Sequence, residues 1–184
     1  MFGQKKTALA VFFYVTEREG RCLNKTVVQY GNVNYNKAMY TAVIEIPKGD
    51  GRRRHLNYEK TAIIDLGPIR DVIPVNDGVM PVDYGYIEHT KNPIEGDEVD
   101  VIIFSIAIRK SGEKVGVSPI GLIRRDDGDD KVIAIDETIS LITSWDDVST
   151  EEKDLILAYF GYGHKILSIE NREAAEAYLR KSLI

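Results

Sequence analysis

Five short runs rich in β-branched residues, each bounded by Gly, Pro or Asp, constrain the fold of this chain most. They occupy residues 42–46, 62–66, 99–104, 115–123 and 131–135. Runs of this length and composition are typical of strands. No helical pattern separates most of them, so they predict a barrel or a sandwich rather than a wound α/β sheet.

The helical signals come late in the chain. Ser149 and Glu152 form a capping box, and Gly161 is placed to end the helix that follows. One apolar stripe runs along that helix, made of Leu155, Ile156, Tyr159 and Phe160. A second helix is expected from Asn171, with acidic residues in its first turn and basic residues in its last. The sequence therefore predicts a mainly β fold with flanking α-helices.

Length and charge limit the possible function. The 184 residues suit a single domain, 1–184, and the formal net charge is −5. That charge argues against nucleic acid or a membrane surface as the partner. The apolar run at 8–15 is too short to span a membrane, and we interpret it as a strand. Cys22 is the one cysteine, so no internal disulfide can form and a cytoplasmic location is expected.

Two acidic clusters each lead into a predicted strand, one at 95–100 and one at 126–130. Asp100 is the informative residue, because it lies inside an apolar run and a carboxylate is costly to bury without a partner or a metal. Carboxylates gathered at one place repel each other, and hard divalent cations relieve that repulsion. Each cluster taken alone also fits a solvated turn.

The basic and histidine residues allow two interpretations. Arg52, Arg53 and Arg54 fit a clamp on phosphate oxygens, or equally a solvated strand edge. His89 and His164 stand apart from any second ligand at metal-binding spacing, so we interpret both as polar support.

The order of five motifs gives a more specific result than any one of them. The motifs are Val43-Ile44-Glu45-Ile46-Pro47-Lys48-Gly49, Asp83-Tyr84-Gly85-Tyr86-Ile87, Glu95-Gly96-Asp97-Glu98-Val99-Asp100-Val101, Pro119-Ile120-Gly121-Leu122 and Asp129-Asp130-Lys131-Val132-Ile133-Ala134-Ile135. In this order they resemble the soluble inorganic pyrophosphatase family, from about Thr41 to the C-terminus. The resemblance implies a five-stranded OB-like barrel with flanking helices, and hydrolysis of pyrophosphate to two phosphates.

The resemblance also implies roles for individual residues. The implied metal ligands are Glu95, Asp100, Asp129 and Asp126 (or Asp127), with Glu45 supporting an outer metal. Asp97 would be the base that deprotonates the attacking water. Arg54, Tyr84, Lys131 and Lys165 would face phosphate oxygens. The implied cofactor is Mg²⁺, with Mn²⁺ as a substitute, and the implied assembly is a homo-oligomer, with a hexamer favoured.

Several positions depart from the family pattern. Glu95 stands where the family has Asp, and Met80 and His164 stand where it has phosphate-binding tyrosines. The family's Lys-Tyr-Glu triplet aligns either with Arg54-His55-Leu56 or with Asn57-Tyr58-Glu59, and its phosphate-binding arginine aligns with Arg70 only if a gap is shifted. Since each lost tyrosine removes a donor, the departures predict weaker pyrophosphate binding with much of the chemical step retained.

Three functions remain open from the sequence. The first is an active pyrophosphatase, favoured because the ligands of the first metal keep their chemical type. The second is a catalytically weakened protein that binds metal or phosphate on the same scaffold. The third is a hydrolase of another phosphoanhydride. Residues 1–40 look unlike the family and are expected to form an atypical extension that packs on the barrel.

Overall fold

The computed structural model describes residues 40–136, 138–139 and 141–184. These residues belong to a compact unit that spans Ala38–Ile184. The strand predicted at 8–15, Cys22 and the packing predicted for the N-terminal extension lie outside the described residues.

Eight strands and two α-helices make up the described part of the chain. The strands are β1 (Tyr40–Ile46), β2 (Arg52–Leu56), β3 (Ile63–Pro68), β4 (Asp83–Ile87), β5 (Val99–Phe104), β6 (Lys114–Arg125), β7 (Lys131–Asp136) and β8 (Ile166–Asn171). The helices are α1 (Thr150–Phe160) and α2 (Arg172–Ser182). Short 3₁₀ turns occupy Ile69–Asp71, Val75–Gly78 and Trp145–Asp147.

Five of the strands form a closed ring in the order β1-β4-β5-β7-β6, because β6 also pairs with β1. All pairs in the ring are antiparallel except β5 with β7. Strand β8 adds to the far end of β6, and β2 with β3 forms a separate hairpin. The predicted five-stranded OB-like barrel with flanking helices is confirmed, as a ring that is not evenly round.

Close approach of β1 and β4 depends on Gly85. A Cβ atom added at this position would lie 1.9 Å from the carbonyl oxygen of Val43. Only glycine leaves the room that this contact needs, since two backbones meet here without a side chain between them. The glycine thereby holds its neighbour Tyr84 in the register where it faces β5.

The ring packs on both helices. One core cluster joins alternate residues of β1 and β5 to Ala175, Tyr178 and Leu179 of α2. A second cluster joins Ile102 and Phe104 of β5 to α1 through Ile156, Tyr159 and Phe160. Strand β5 therefore buries side chains on both of its faces, which explains its continuous apolar run. Among the described residues, no helix is long and apolar enough to cross a membrane.

Helix α1 begins and ends where the sequence predicts. The Ser149 hydroxyl accepts a hydrogen bond from the backbone N–H of Glu152 at 3.3 Å, and Gly161 lies at the C-terminal cap. In α2 the Asn171 side chain accepts from the N–H of Ala174 at 3.1 Å. These caps satisfy donors that the first turn of each helix leaves free.

Candidate active site

The candidate active site lies where β5 and β7 begin side by side. Their parallel register pairs Val101 with Val132, which places Asp100 and Lys131 next to each other. Lys131 is 3% exposed; its Nζ contacts Asp100 Oδ2 and lies 2.5 Å from Asp129 Oδ1. Burial lowers the pKa of Lys131, but Asp100 and Asp129 outweigh it and the net shift is upward. Lys131 is therefore a fixed cation held between two carboxylates.

Tyr84 completes this group from β4. Its hydroxyl donates to Asp100 Oδ2 at 2.5 Å, and Lys131 Nζ lies 5.7 Å from the centre of its ring. The ring packs on Phe160 of α1 at a centroid distance of 5.5 Å. Burial, and then the charges of Asp100 and Asp129, raise the pKa of Tyr84 well above its usual value. The phenol therefore stays protonated and can donate a hydrogen bond.

The loop before β5 brings Glu95 and Asp97 to the same acidic group. Partial burial, Asp129 and Asp97 raise the pKa of Glu95 to about 7. Asp97 Oδ1 is buried without a hydrogen-bond partner in the protein. A buried carboxylate oxygen without a partner is unfavourable unless a cation or water satisfies it. The loop therefore presents acceptors that a cation would satisfy.

The loop between β6 and β7 carries the remaining predicted acids. Asp126 and Lys165 exchange two hydrogen bonds, from Asp126 N–H to the Lys165 carbonyl and from Lys165 N–H to Asp126 Oδ1, both 3.0 Å long. Ligand atoms of Asp126, Asp127 and His164 lie within 4.8 Å of one another, and all three residues are exposed. The Lys165 side chain is exposed at the same edge.

Asp127 and Asp129 contact the same arginine, Arg125. The guanidinium of Arg125 reaches both of these carboxylates, with Nη2 2.7 Å from Asp127 Oδ2 and Nη1 3.1 Å from Asp129 Oδ2. His164 Nδ1 lies 2.9 Å from Asp127 Oδ2. The structure thus separates the two alternatives that the sequence left open for the fourth ligand: Asp127 is paired with Arg125, whereas Asp126 is hydrogen-bonded to the backbone of Lys165.

Glu45 lies on β1 and is fully buried. Its Oε1 accepts from the backbone N–H of Leu56 at 2.5 Å and lies 3.3 Å from His55 Nδ1. The hydrogen bond that His55 donates to Glu45 raises the pKa of His55 against the effect of burial. Glu45 Oε2 has no hydrogen-bond partner in the protein, so one oxygen remains for a further donor or cation.

The structure places the two candidate triplets in different surroundings. Strand β2 places Arg54-His55-Leu56 beside Glu45, whereas Asn57-Tyr58-Glu59 turns away towards β3, with Tyr58 98% exposed. Arg54-His55-Leu56 is therefore the triplet that lies beside Glu45, and its third residue, Leu56, has no carboxylate.

Arg54 lies at the edge of this region and is paired with Asp50. It lines an open groove of about 560 Å³ together with Lys48, Arg109 and Lys110. Arg70 is exposed on a 3₁₀ turn rather than on a strand. Even with the shifted gap, it therefore does not lie on a strand, where the family pattern has its phosphate-binding arginine.

Met80 belongs to the hydrophobic core, with 4% of its surface exposed. The position therefore contributes packing and offers no donor to the site. His164 is exposed and keeps two ring nitrogens, one of them beside Asp127.

Sequence reasoning missed two residues of this site, His55 and Arg125. Arg125 stands two and four residues before the acids that it contacts, and that spacing was a usable signal. His55 had no such signal, because its partner Glu45 lies on another strand.

The donor set fits a hard divalent cation at part of the site. Glu95, Asp100 and Asp129 supply only oxygen atoms, which Mg²⁺ and Mn²⁺ prefer. Beside them, Asp97 has one buried oxygen without a partner in the protein, and burial together with the charges of Asp129 and Asp97 raises the pKa of Glu95. The fit is poorer between Asp127 and Asp129, where the Arg125 guanidinium already contacts both carboxylates.

Several solved structures resemble this chain. Inorganic pyrophosphatase from Ehrlichia chaffeensis aligns with a TM-score of 0.70 and 22% identity, over 82% of this chain and 96% of that one. The enzyme from Thermus thermophilus gives 0.67 and 24%, over 84% and 94%. An inorganic pyrophosphatase from Neisseria gonorrhoeae gives 0.68 and 21%, over 80% and 90%. At these identities the likeness shows the fold.

The sequence itself matches a family model, although no curated protein matches it. The model is that of inorganic pyrophosphatase, and it aligns with residues 42–182, most of the chain. That range contains all of the ring except the first two residues of β1, together with both helices and every residue of the candidate site. This chain therefore belongs to the inorganic pyrophosphatase family, a family of hydrolases.

Proposed function

We propose that this chain hydrolyses inorganic pyrophosphate to two phosphates with the help of Mg²⁺, for which Mn²⁺ can substitute. The observation that carries the proposal is the buried, unpartnered Asp97 Oδ1 next to the acidic group of Glu95, Asp100 and Asp129. An oxygen-rich group of this kind is the donor set that a hard cation needs.

The acidic group would hold the cation, with Glu95, Asp100 and Asp129 as ligands and with Asp126 or Asp127 at its edge. Glu45 would support this arrangement through its free Oε2. When bound, such a cation lowers the pKa of water and screens the charge of the phosphate oxygens.

Asp97 would accept the proton of the attacking water. Its Oδ1 has no hydrogen-bond partner in the protein, so the oxygen is available as a base. The general requirement is that base and water come within hydrogen-bond reach, and the position of Asp97 two residues after Glu95 keeps the base beside the proposed ligands.

Fixed donors would neutralise the phosphate charge. Lys131 is held rigidly by Asp100 and Asp129, and Tyr84 stays protonated because its pKa is raised. Lys165 and Arg54 lie at the edges of the site and would contact outer oxygens. Donors fixed in advance stabilise developing charge without reorganising at the moment of reaction.

One observation favours the alternative of a catalytically weakened binding protein. Lys131, Tyr84 and Arg125 already contact the carboxylates of Asp100 and Asp129, so an incoming cation must compete with them. Under this alternative the chain binds metal or phosphate and releases no product.

A phosphate-release assay distinguishes these functions. The folded protein is given pyrophosphate, triphosphate or a nucleoside triphosphate, each with saturating Mg²⁺ or Mn²⁺ and each with excess chelator. Release from pyrophosphate alone, and only with metal, is the expected result. Release from the other substrates at a comparable rate would instead indicate a broader phosphoanhydride hydrolase, and no release at all would refute the enzyme.

The assembly and the location remain proposals. Family resemblance favours a homo-oligomer, with a hexamer as the first choice, and the absence of a cysteine pair fits the cytoplasm. Light scattering at micromolar concentration tests the assembly, and a monomer mass would contradict it.

A further inference from the structure

Arg125 is the last residue of β6, and its side chain lies among the acids of the next loop. Only 8% of the side chain is exposed. Its Nη2 is 2.7 Å from Asp127 Oδ2 and its Nη1 is 3.1 Å from Asp129 Oδ2. One guanidinium thus bridges Asp127 and Asp129, while Lys131 contacts the other oxygen of Asp129.

Local structure fixes this bridge from both sides. The backbone N–H of Arg125 donates to Asp130 Oδ1 at 3.0 Å, and Arg125 pairs with Ile166 of β8. On the acidic side, the N–H of Asp129 donates to Asp127 Oδ1 at 3.2 Å. The guanidinium and both carboxylates are therefore held in place before any ligand arrives.

The chemistry of the bridge is that of a cation site already filled. Like charges brought together destabilise each other, and either a metal or an arginine can relieve that repulsion. Guanidinium stays charged at every accessible pH and contacts carboxylates through a planar fork. An oxygen engaged by the guanidinium has less to offer a metal, because binding the metal must break the existing charged contact.

We propose that the Arg125 guanidinium acts as a built-in cation in place of one divalent ion between Asp127 and Asp129. The chain therefore binds one metal ion fewer than its carboxylates would hold without Arg125. This inference rests on the proposed function, because it concerns the metal site of that reaction, but its test counts ions and does not depend on turnover.

The experiment compares the intact protein with Arg125→Gln. Mn²⁺ bound per chain is counted by titration calorimetry and by the loss of the free Mn²⁺ signal in electron paramagnetic resonance. The expected result is one additional ion per chain in Arg125→Gln. Arg124→Gln is the matched control: Arg124 is the neighbouring arginine of β6 and is paired with Asp130 and Glu170. The control should bind as many ions as the unmodified protein, and equal counts in all three would overturn the proposal.

A second variant tests the same point without touching the arginine. Asp127→Asn should leave the ion count of the otherwise unmodified chain unchanged, because Asp127 is committed to Arg125. Loss of one ion in Asp127→Asn would show that a metal uses this carboxylate despite the arginine, and would overturn the proposal even if Arg125→Gln failed to fold.

Thermal unfolding gives an independent measurement. In chelator, Arg125→Gln should melt at a lower temperature than the unmodified protein, and saturating Mn²⁺ should raise its melting temperature by more, because the additional ion binds only the folded chain. An equal rise in both proteins would contradict the proposal. Absence of pyrophosphate hydrolysis together with the expected difference in ion count would instead refute only the proposed function.

Discussion

Lys131 and Asp100 form an ion pair across the parallel strands β5 and β7, one residue before the paired Val101 and Val132. Lys131 is the buried member of the pair, and the Tyr84 hydroxyl donates to the same Asp100 oxygen. In the proposed reaction Lys131 would therefore have two functions: it would neutralise the acidic group when no ion is bound, and it would face the phosphate when substrate is bound.

Replacing Lys131 by Met should lower kcat with a smaller effect on KM, because the cation acts most on charge that develops in the transition state. A hydrogen bond to a charged group contributes about 1.5–3 kcal/mol, which corresponds to a rate loss of about ten- to a hundredfold. Steady-state kinetics measures both constants. The control is Lys114→Met, which removes an exposed lysine paired with Glu88 at the start of β6. A change confined to KM would disprove the role in turnover.

Asp97→Asn and Asp100→Asn should fail in different ways. Asp97 is proposed as the base, so Asp97→Asn should lose most of the turnover while Mg²⁺ still binds. Asp100 is proposed as a ligand, so Asp100→Asn should weaken Mg²⁺ binding itself. Calorimetric Mg²⁺ titrations of the two variants make the comparison, and indistinguishable titrations would show that the two roles are wrongly assigned.

Two tyrosine substitutions should behave differently because one position is buried. His164→Tyr places a hydroxyl at an exposed edge of the site and should lower KM for pyrophosphate by up to about tenfold at unchanged kcat. Met80→Tyr enlarges a side chain that is 4% exposed within the core, and should cost about 1–3 kcal/mol of stability. Kinetics and urea unfolding of both variants are the measurements. An unchanged KM in His164→Tyr would show that position 164 does not face phosphate.

The buried acids Asp83 and Asp136 should give opposite pH dependences of stability. Burial raises the pKa of Asp83 although the Lys48 N–H donates to it. In Asp136 burial acts the same way, but hydrogen bonds from Ser105, Thr138 and Arg109 outweigh it and lower the pKa. Asp136 therefore stabilises the fold above the ordinary aspartate pKa, and this contribution is lost as the pH falls through its lowered pKa. The contribution of Asp83 instead declines as the pH rises from that ordinary value through its raised pKa.

Urea unfolding between pH 3 and pH 8 tests these signs. Asp83→Asn should remove a stability gain that the unmodified protein shows on acidification towards pH 4. Asp136→Asn should lower the free energy of unfolding at neutral pH by about 1.5–3 kcal/mol, because the charged contact with Arg109 is lost while Arg109 keeps Glu113. Below pH 4 the difference should shrink. The same pH profile in both variants would contradict the two pKa directions.

Much of the fold was predictable from local signals. The run at 99–104 coincides with β5, since its residues are buried on both faces and read as continuously apolar. Helix α1 was predictable because its caps are local in sequence. Strand β8 was missed, because most of its residues are at least partly exposed and its pairing with β6 is long-range.

In the candidate site, too, local features were predictable from the sequence and long-range contacts were not. The motifs around Glu95, Asp100 and Lys131 were predictable because they are contiguous in the chain. The contact between His55 and Glu45 was not, because it depends on how the β2–β3 hairpin lies against β1. The burial of Met80 likewise depends on packing from several elements. The presence of Met instead of Tyr in the sequence does not reveal that packing.

The closed ring also governs how copies of this chain can meet. Each strand of the ring has a neighbour on both sides, and β8 is the end strand of the sheet. That end strand is six residues long and includes Ser168, Glu170 and Asn171. A short, polar end strand is a poor template for edge-to-edge growth. We therefore expect association between copies to use side-chain surfaces rather than continuation of the sheet, so that assemblies stay finite instead of extending into fibres.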